Sequence, residues 1–114
     1  MKGNQLEMTL LFDYYGDLLT EKQKTCFDLY YNQDLSLSEI AEQAGISRQG
    51  VHDTLVRAEA QLEQFEAAVG CIARAAAVQE AAERIEAAAA SLKELPQARK
   101  DAETILRACE ALKE

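Results

Sequence analysis

The residue types with the most specific chemistry lie together between Ser47 and Arg57. Arginine, glutamine and histidine occur at Arg48, Gln49 and His52, directly after a serine. Arginine can donate two hydrogen bonds to guanine and glutamine can pair in the same way with adenine, so this order is typical of a base-reading helix. The hydroxyl of Ser47 can cap the first turn of that helix. The spacing therefore predicts nucleic-acid contact, and the competing interpretation is the polar first turn of a solvated helix.

Contacts with a phosphate backbone are predicted for nearby positive side chains. The candidates are Lys22, Lys24 and Arg57, together with the hydroxyl of Ser47. Against them, residues 1–60 hold five lysines and arginines and ten aspartates and glutamates, a net of −5. Strong DNA-binding domains show the opposite balance. The charge keeps a second interpretation open, in which the same acidic face binds a basic protein.

Other side chains that could do chemistry do not form a recognisable site. His52 is the only histidine, and Cys26, Cys71 and Cys109 lack the spacing of a zinc site. Glutamates that share helix faces have neither a histidine partner nor an apolar pocket that would raise a carboxyl pKa. We therefore expect no enzyme activity, no catalytic residue, no metal and no cofactor.

Capping and turn signals indicate the elements that position the candidate base readers. Ser36 and Glu39 form a capping box that begins a short helix. Gly45 is free to take the positive φ that ends this helix, and Ser47 caps the next one. Small Ala41 lets the two helices approach, and four apolar residues close a core between them: Ile40, Ile46, Val51 and Leu55. The pattern predicts a helix-turn-helix, whose second helix enters the DNA major groove.

Two further helices are predicted in front of this motif. Thr20 and Gln23 form another capping box, and the helix that it begins should end at residues 32–34, a turn-rich tripeptide. A first amphipathic helix precedes it, because apolar residues recur every four positions at Leu6, Leu10, Tyr14 and Leu18, widened by Leu11, Tyr15 and Leu19.

The composition changes near Gly70. Residues 1–60 contain four alanines and residues 61–114 contain sixteen, and every aromatic residue except Phe65 lies in the first sixty. Glycine and proline number five and one, and no stretch alternates as a strand would. We expect an all-α fold, with a helix-turn-helix domain of about four helices over residues 1–69 and long alanine-rich helices over residues 70–114 as a dimerisation or packing arm.

Apolar residues seven positions apart indicate helices packed side by side in the second half. They form three series: Val51, Ala58, Phe65 and Ile72; Leu55, Leu62, Val69 and Ala76; and Cys71, Val78, Ile85 and Leu92 beside Ala81, Ala88 and Leu95. An intramolecular hairpin with bends at Gly70 and Pro96 would cover these seams, and so would a homodimer. Helix-turn-helix proteins commonly read paired half-sites, which favours the homodimer.

Length and charge narrow the class of protein. The chain has 114 residues and a formal net charge of −8, which excludes a protein that coats polyanions with a basic surface. No apolar run approaches the ~20 residues that span a bilayer, and no signal peptide is visible. Three cysteines without metal-site spacing favour reduced thiols. These features predict a cytoplasmic protein that does not insert into a membrane.

Several ordered segments resemble the YlxM family of bacterial proteins over roughly residues 6–66. These segments are Leu11 to Tyr15, Leu18 to Gln23, Leu29 to Tyr31, Asp34 to Ala41 and Ser47 to Asp53. The resemblance implies a helix-turn-helix similar to the promoter-reading part of sigma factors, with DNA, or alternatively RNA, as its partner. It also implies a regulatory link to the signal recognition particle pathway. The alternative that it leaves open is an adaptor that binds the targeting GTPase or its ribonucleoprotein particle.

One residue departs from the family pattern, because Gly50 stands where alanine is usual. Glycine in a helix costs up to ~1 kcal/mol relative to alanine. The resemblance therefore predicts a base-reading helix that is held a little less rigidly than in relatives.

Overall fold

A computed structural model describes residues 4–113 and contains six α-helices and no strand in that range. The all-α fold is therefore confirmed. The helices are α1 (Gln5–Tyr15), α2 (Glu21–Phe27), α3 (Leu37–Ala44), α4 (Arg48–Val69), α5 (Cys71–Leu92) and α6 (Arg99–Lys113). Short helical turns follow α1 at Gly16–Leu18 and precede α6 at Pro96–Ala98, and a π-helical turn, Asp28–Asn32, extends α2.

The chain divides into two compact units, Met1–Cys71, called here the front unit, and Ile72–Glu114, called the rear unit. The front unit holds five lysines and arginines and twelve aspartates and glutamates, a net of −7. The rear unit holds seven and eight, a net of −1. Almost all of the negative charge therefore belongs to the unit that contains the helix-turn-helix.

Large apolar side chains fill the core of the front unit. The fully buried ones come from α2, α3 and α4, and they are Cys26, Phe27, Ile40, Val51, Leu55 and Leu62. The ring of Phe27 lies between two others, with centroids 4.6 Å from Phe12 and 4.4 Å from Tyr31. This stack joins α1 to α2 and the π-helical turn, and α4 packs against α1, α2 and α3.

Both predicted capping boxes are confirmed. The Thr20 hydroxyl accepts from the Gln23 N–H at 3.2 Å, and the Gln23 side chain accepts from the Thr20 N–H at 3.0 Å. Ser36 and Glu39 make the same exchange at 3.1 and 3.0 Å. Between the two boxes the chain turns at Asp34, which has a left-handed φ of 58°, a conformation that aspartate tolerates better than most residues. Side-chain oxygens therefore set where α2 and α3 begin.

The first helix buries only part of the apolar stripe that the sequence predicts. Leu6, Leu10, Tyr14 and Leu18 are 87%, 42%, 47% and 63% exposed, whereas Met8, Leu11 and Tyr15 are buried. An α-helix turns by about 100° per residue, so a four-residue series drifts by about 40° at each step. Spacings of three and four together hold one face toward the core, and Met8, Leu11 and Tyr15 have those spacings. The four-residue series of the predicted stripe was therefore wrong as a core face, whereas the residues predicted to widen it, Leu11, Tyr15 and Leu19, are buried.

In the rear unit the buried side chains are small. They are Ala82 and Ala89 on α5 and Ala102 and Cys109 on α6, seven residues apart in each helix. The ammonium of Lys113, at the end of α6, donates to Glu86 Oε1 at 2.6 Å, so α6 folds back toward α5. The seven-residue period was correct, but the buried alanines lie one position after the predicted Ala81 and Ala88, which are exposed. Within residues 4–113 no helix is both long and apolar enough to cross a membrane.

Candidate nucleic-acid interface

The helix-turn-helix comprises α3, residues 45–47 and α4. Gly45 ends α3 with a φ of 69°, and its N–H donates to the Ala41 carbonyl at 3.0 Å. The N–H of Ile46 donates to the same carbonyl at 3.2 Å. Ser47 then begins α4, because its hydroxyl accepts from the Gly50 N–H at 2.9 Å. The turn is therefore closed by the glycine and the serine that the sequence indicated.

Apolar packing holds the two helices of the motif together. Ile40, Val51 and Leu55 are fully buried, and Ile46 is half-buried over the turn. Ala41 is half-buried. The predicted small core is present, and it leaves the first turn of α4 facing outward.

The candidate base readers lie on the first two turns of α4. Arg48 and Gln49 are exposed, and His52 is half-buried. The amide nitrogen of Gln49 donates to Asp53 Oδ1 at 2.9 Å, and His52 Nδ1 lies 3.4 Å from the same oxygen. The hydrogen bond from Gln49, followed by that from His52, lowers the pKa of Asp53. A negative charge therefore lies beside Gln49 and His52 on the face that would meet DNA.

The sequence places Asp53 among the outward positions of this helix, but no contact was predicted for it. The signal was present, because residues four apart on a helix are neighbours and a glutamine can donate to an aspartate at that spacing. Asp53 orients the amide that would read adenine, and its own carboxylate can accept from the amino group of cytosine.

The candidate phosphate contacts fall into two groups. Arg57 is exposed on the third turn of α4, where its charge also lowers the pKa of Asp53 slightly. Lys22 and Lys24 lie on α2, and among residues 4–113 no hydrogen bond joins either side chain to α4. Lys24 donates instead to Asp17 Oδ1 at 2.6 Å, which raises the pKa of Lys24 and lowers that of Asp17. The structure thus gathers Ser47, Arg48, Gln49, His52 and Arg57 on one helix, and it pairs Lys24 elsewhere.

Two tyrosines fix α4 in the front unit. The hydroxyl of Tyr31 donates to Glu59 Oε1 at 2.8 Å, and that of Tyr15 donates to Glu66 Oε1 at 2.5 Å. The Tyr15 oxygen also accepts from the Cys71 N–H at 3.1 Å. Burial first, then the bond to the glutamate, raises the pKa of Tyr31 and raises that of Tyr15 to about 12. Partners this far apart in the chain carry no sequence signal.

Comparison with known proteins places this geometry in a family. The family profile named UPF0122 and described as "Putative helix-turn-helix protein, YlxM / p13 like" matches residues 2–102. The chain belongs to this family. The resemblance seen in the sequence is therefore confirmed.

Individual relatives match about 60–65% of the chain. A UPF0122 protein of Thermoanaerobacter sp. (strain X514) is 55% identical over 74 residues, which are 65% of this chain and 63% of the relative. Those of Desulforamulus reducens and Halalkalibacterium halodurans are 53% identical over 68 residues and 47% identical over 74. The first of these two matches covers 60% of this chain and 58% of the relative. The second covers 65% of this chain and 68% of the relative. The chain thus spans just under two thirds of the first of these relatives.

Membership of this YlxM/p13-like family agrees with the motif built by α3 and α4. A helix-turn-helix family suggests nucleic-acid binding, and it is not a family of enzymes.

Proposed function

We propose that this YlxM/p13-like protein is a regulator that binds DNA through the first turns of α4. The observation that carries the proposal is the exposed start of a Ser47-capped helix on a packed helix-turn-helix, with Arg48 and Gln49 on its first turn. In this proposal Arg48 binds guanine, Gln49 binds adenine after leaving Asp53, and His52 contacts a neighbouring base. Arg57, Ser47 and Lys22 lie near phosphates, and Lys24 joins them by leaving Asp17.

The net negative charge of the front unit limits how much attraction to phosphates can contribute to DNA binding. The front unit has a net charge of −7, and Asp53 lies among the base readers, so phosphate attraction alone cannot supply the affinity. With two or three cations near phosphates in each protomer, a dimer has a log–log salt slope of roughly −4 to −5. Binding therefore depends on a few base contacts and weakens steeply with salt.

The test is selection from a random duplex library by the full chain at low salt, followed by titration of the selected site. Arg48→Ala should weaken binding to that site by ~1–3 kcal/mol, whereas the matched Arg107→Ala on α6 should leave it unchanged. Asp53→Asn should strengthen binding, because it removes the negative charge beside Gln49 and His52. Failure to retain any duplex at low salt, or equal losses in both arginine variants, would contradict the proposal.

We further propose that the protein binds DNA as a homodimer joined through α5. An exposed apolar series on this helix supports it: Val78, Ala81, Ile85, Ala88 and Leu92, with Leu95 just beyond, here called the α5 seam. Its alternating spacing of three and four is that of side-by-side helices. A shallow hollow of about 410 Å³ beside Ala81 and Ile85 can accept a side chain from a second copy. The rear unit has a net charge of only −1, so like charge does not oppose self-association.

Light scattering across a range of concentrations tests the dimer. Ile85→Arg should give a monomer, while Leu112→Arg, a change at an exposed leucine on α6, should leave the mass of the wild-type protein unchanged. A monomeric wild-type chain at all concentrations excludes this arrangement.

The charge of the front unit favours one second candidate, an adaptor whose acidic helix-turn-helix face binds a basic protein. The targeting GTPase of the signal recognition particle, or its ribonucleoprotein particle, is the partner implied by the sequence resemblance, and the cytoplasm is then the compartment. Pull-down with the tagged chain before and after nuclease treatment separates the two candidates. Recovery of the GTPase that survives nuclease and falls with salt supports the adaptor, and recovery abolished by nuclease indicates a link through nucleic acid.

A further inference from the structure

Helix α1 carries a row of exposed apolar side chains beside its buried face. We call the exposed residues Leu6, Leu10, Tyr14 and Leu18 the α1 ridge. They extend over about 18 Å along α1 and the turn after it, at ~1.5 Å per residue. A neighbouring face of α1 supplies Met8, Leu11 and Tyr15 to the core, and the ridge residues remain exposed beside it. Contiguous exposed apolar surface of this kind marks interaction sites in monomeric proteins.

Exposed carboxylates border the ridge. Glu7 and Asp13 are exposed, and neither forms an ion pair with any residue between 4 and 113. Asp17 lies on the same side of the helix but is paired with Lys24. At about 100° per residue the ridge spans a sector of about 120°, so Glu7 and Asp17 fall within it and Asp13 lies about 20° outside it. The surface is therefore apolar and acidic together.

We propose that the α1 ridge is a docking surface for a basic amphipathic helix of another protein. A partner helix with apolar residues three and four apart can lay them along the ridge while its lysines and arginines meet Glu7 and Asp13. A second copy of this chain is a poor occupant, because a symmetric contact would bring the same carboxylates together on two units of net charge −7. The α5 seam differs in this respect, since its unit is nearly neutral. This docking does not depend on DNA binding, and either one can fail without the other.

The experiment uses the full chain and a fluorescent synthetic helix of about 18 residues, with leucines three and four apart and lysines elsewhere. Fluorescence anisotropy at low salt should show saturable binding to the wild-type chain. The double variant Leu6→Ser/Leu10→Ser should bind about tenfold more weakly or worse, because it removes two anchors from the contact. Val56→Ser, an exposed apolar change on α4, and Ile85→Ser on the α5 seam should bind as the wild type does.

A second variant keeps the apolar surface and changes only charge. Glu7→Gln/Asp13→Asn should weaken binding and flatten its dependence on salt, and a peptide with glutamates in place of the lysines should not bind. Three results would overturn the proposal: no binding of the lysine peptide, equal binding of the Leu6→Ser/Leu10→Ser chain, or loss of binding in Ile85→Ser. A wild-type dimer that becomes monomeric in Leu6→Ser/Leu10→Ser would assign the ridge to a second copy and overturn it as well.

Discussion

The front and rear units bury opposite kinds of side chain. The front unit encloses Phe27, Leu55 and Leu62 completely, whereas the rear unit encloses alanines and Cys109 and exposes Ile85. Burial of apolar area stabilises by about 25 cal/mol per Å², so an alanine contributes much less than a phenylalanine. The front unit thus has a core that can stabilise it alone, and the rear unit leaves its larger apolar side chains for another surface.

Polar contacts between helices differ in the same way. In the front unit Tyr15 and Tyr31 donate to glutamates of α4 from buried positions. In the rear unit the corresponding cross-link is the ion pair between Lys113 and Glu86, at the surface. Hydrogen bonds from buried hydroxyls fix helices more firmly than surface ion pairs do. Stability and precise helix placement therefore belong to the unit that carries the helix-turn-helix.

The largest expected effect comes from truncating a large apolar side chain in the front unit, compared with the same change in the rear unit. Phe27→Ala should lower the free energy of unfolding by about 3–5 kcal/mol, because it leaves a cavity between Phe12 and Tyr31. Ile85→Ala should cost less than about 0.5 kcal/mol in dilute solution, since its side chain is exposed there. Urea denaturation measures both. A cost for Ile85→Ala that rises with protein concentration would sharpen the comparison by showing that a second copy covers it.

The next largest effect is expected from the hydrogen bond between Tyr31 and Glu59 in the front unit. Tyr31→Phe should cost about 1.5 kcal/mol at about pH 8, because the Glu59 carboxylate loses its buried donor. The pKa of Tyr31 is raised above its ordinary value of 10.0, so the stabilising contribution is complete below pH 10.0 and is lost as pH rises toward the folded-state pKa.

The gap between wild type and Tyr31→Phe in urea midpoint should consequently narrow from about pH 8 to about pH 10.5. Tyr14→Phe, on the exposed side of α1, is the matched control and should leave the midpoint at about pH 8 unchanged. A difference in urea midpoint that stays constant over this pH range would show that folding does not change the pKa of the Tyr31 hydroxyl.

A smaller effect is expected from the ion pair of the rear unit. Lys113→Met should shift the urea midpoint less than Tyr31→Phe does, because the ion pair is partly exposed. In about 1 M salt the Debye length is only about 3 Å, so the shift should disappear there. A larger shift in urea midpoint than that of Tyr31→Phe would contradict the conclusion that the polar contact in the front unit stabilises more than the ion pair in the rear unit.

The smallest effect concerns the start of α4. Gly50→Ala should raise the free energy of unfolding by only a few tenths of a kcal/mol, about half or less of the usual gain for a helical glycine. A Cβ at this position would lie 3.1 Å from the Ser47 oxygen, so the capping hydroxyl must move slightly. Thermal denaturation of Gly50→Ala beside Ser47→Ala measures the gain against the loss of the cap. Destabilisation by Gly50→Ala would show that the cap cannot adjust.

Local signals explain why most of the helix-turn-helix could be predicted. Ser36 caps the start of α3, Gly45 ends that helix, and Ser47 caps the start of α4. Each residue acts on backbone groups within four residues of itself, so the residue types alone specify these helix ends. The exposed Arg48 and Gln49 follow from their place just after the cap. Asp53 was within reach of the same reasoning, since its partner Gln49 is only four residues away.

Tertiary packing decided what local signals could not. Which face of α1 is buried depends on the surfaces that α4 and the π-helical turn offer to it, and Leu6 and Met8 are both apolar side chains that could be buried there. The pairing of Lys24 with Asp17 and of Tyr31 with Glu59 depends on how helices lie beside one another, and no residue spacing encodes that. The sequence by itself determined the helices, their caps and the exposed start of α4, because those interactions are local. Only the tertiary structure decided which leucines the core covers, because burial is a property of neighbouring helices and not of the residue that is buried.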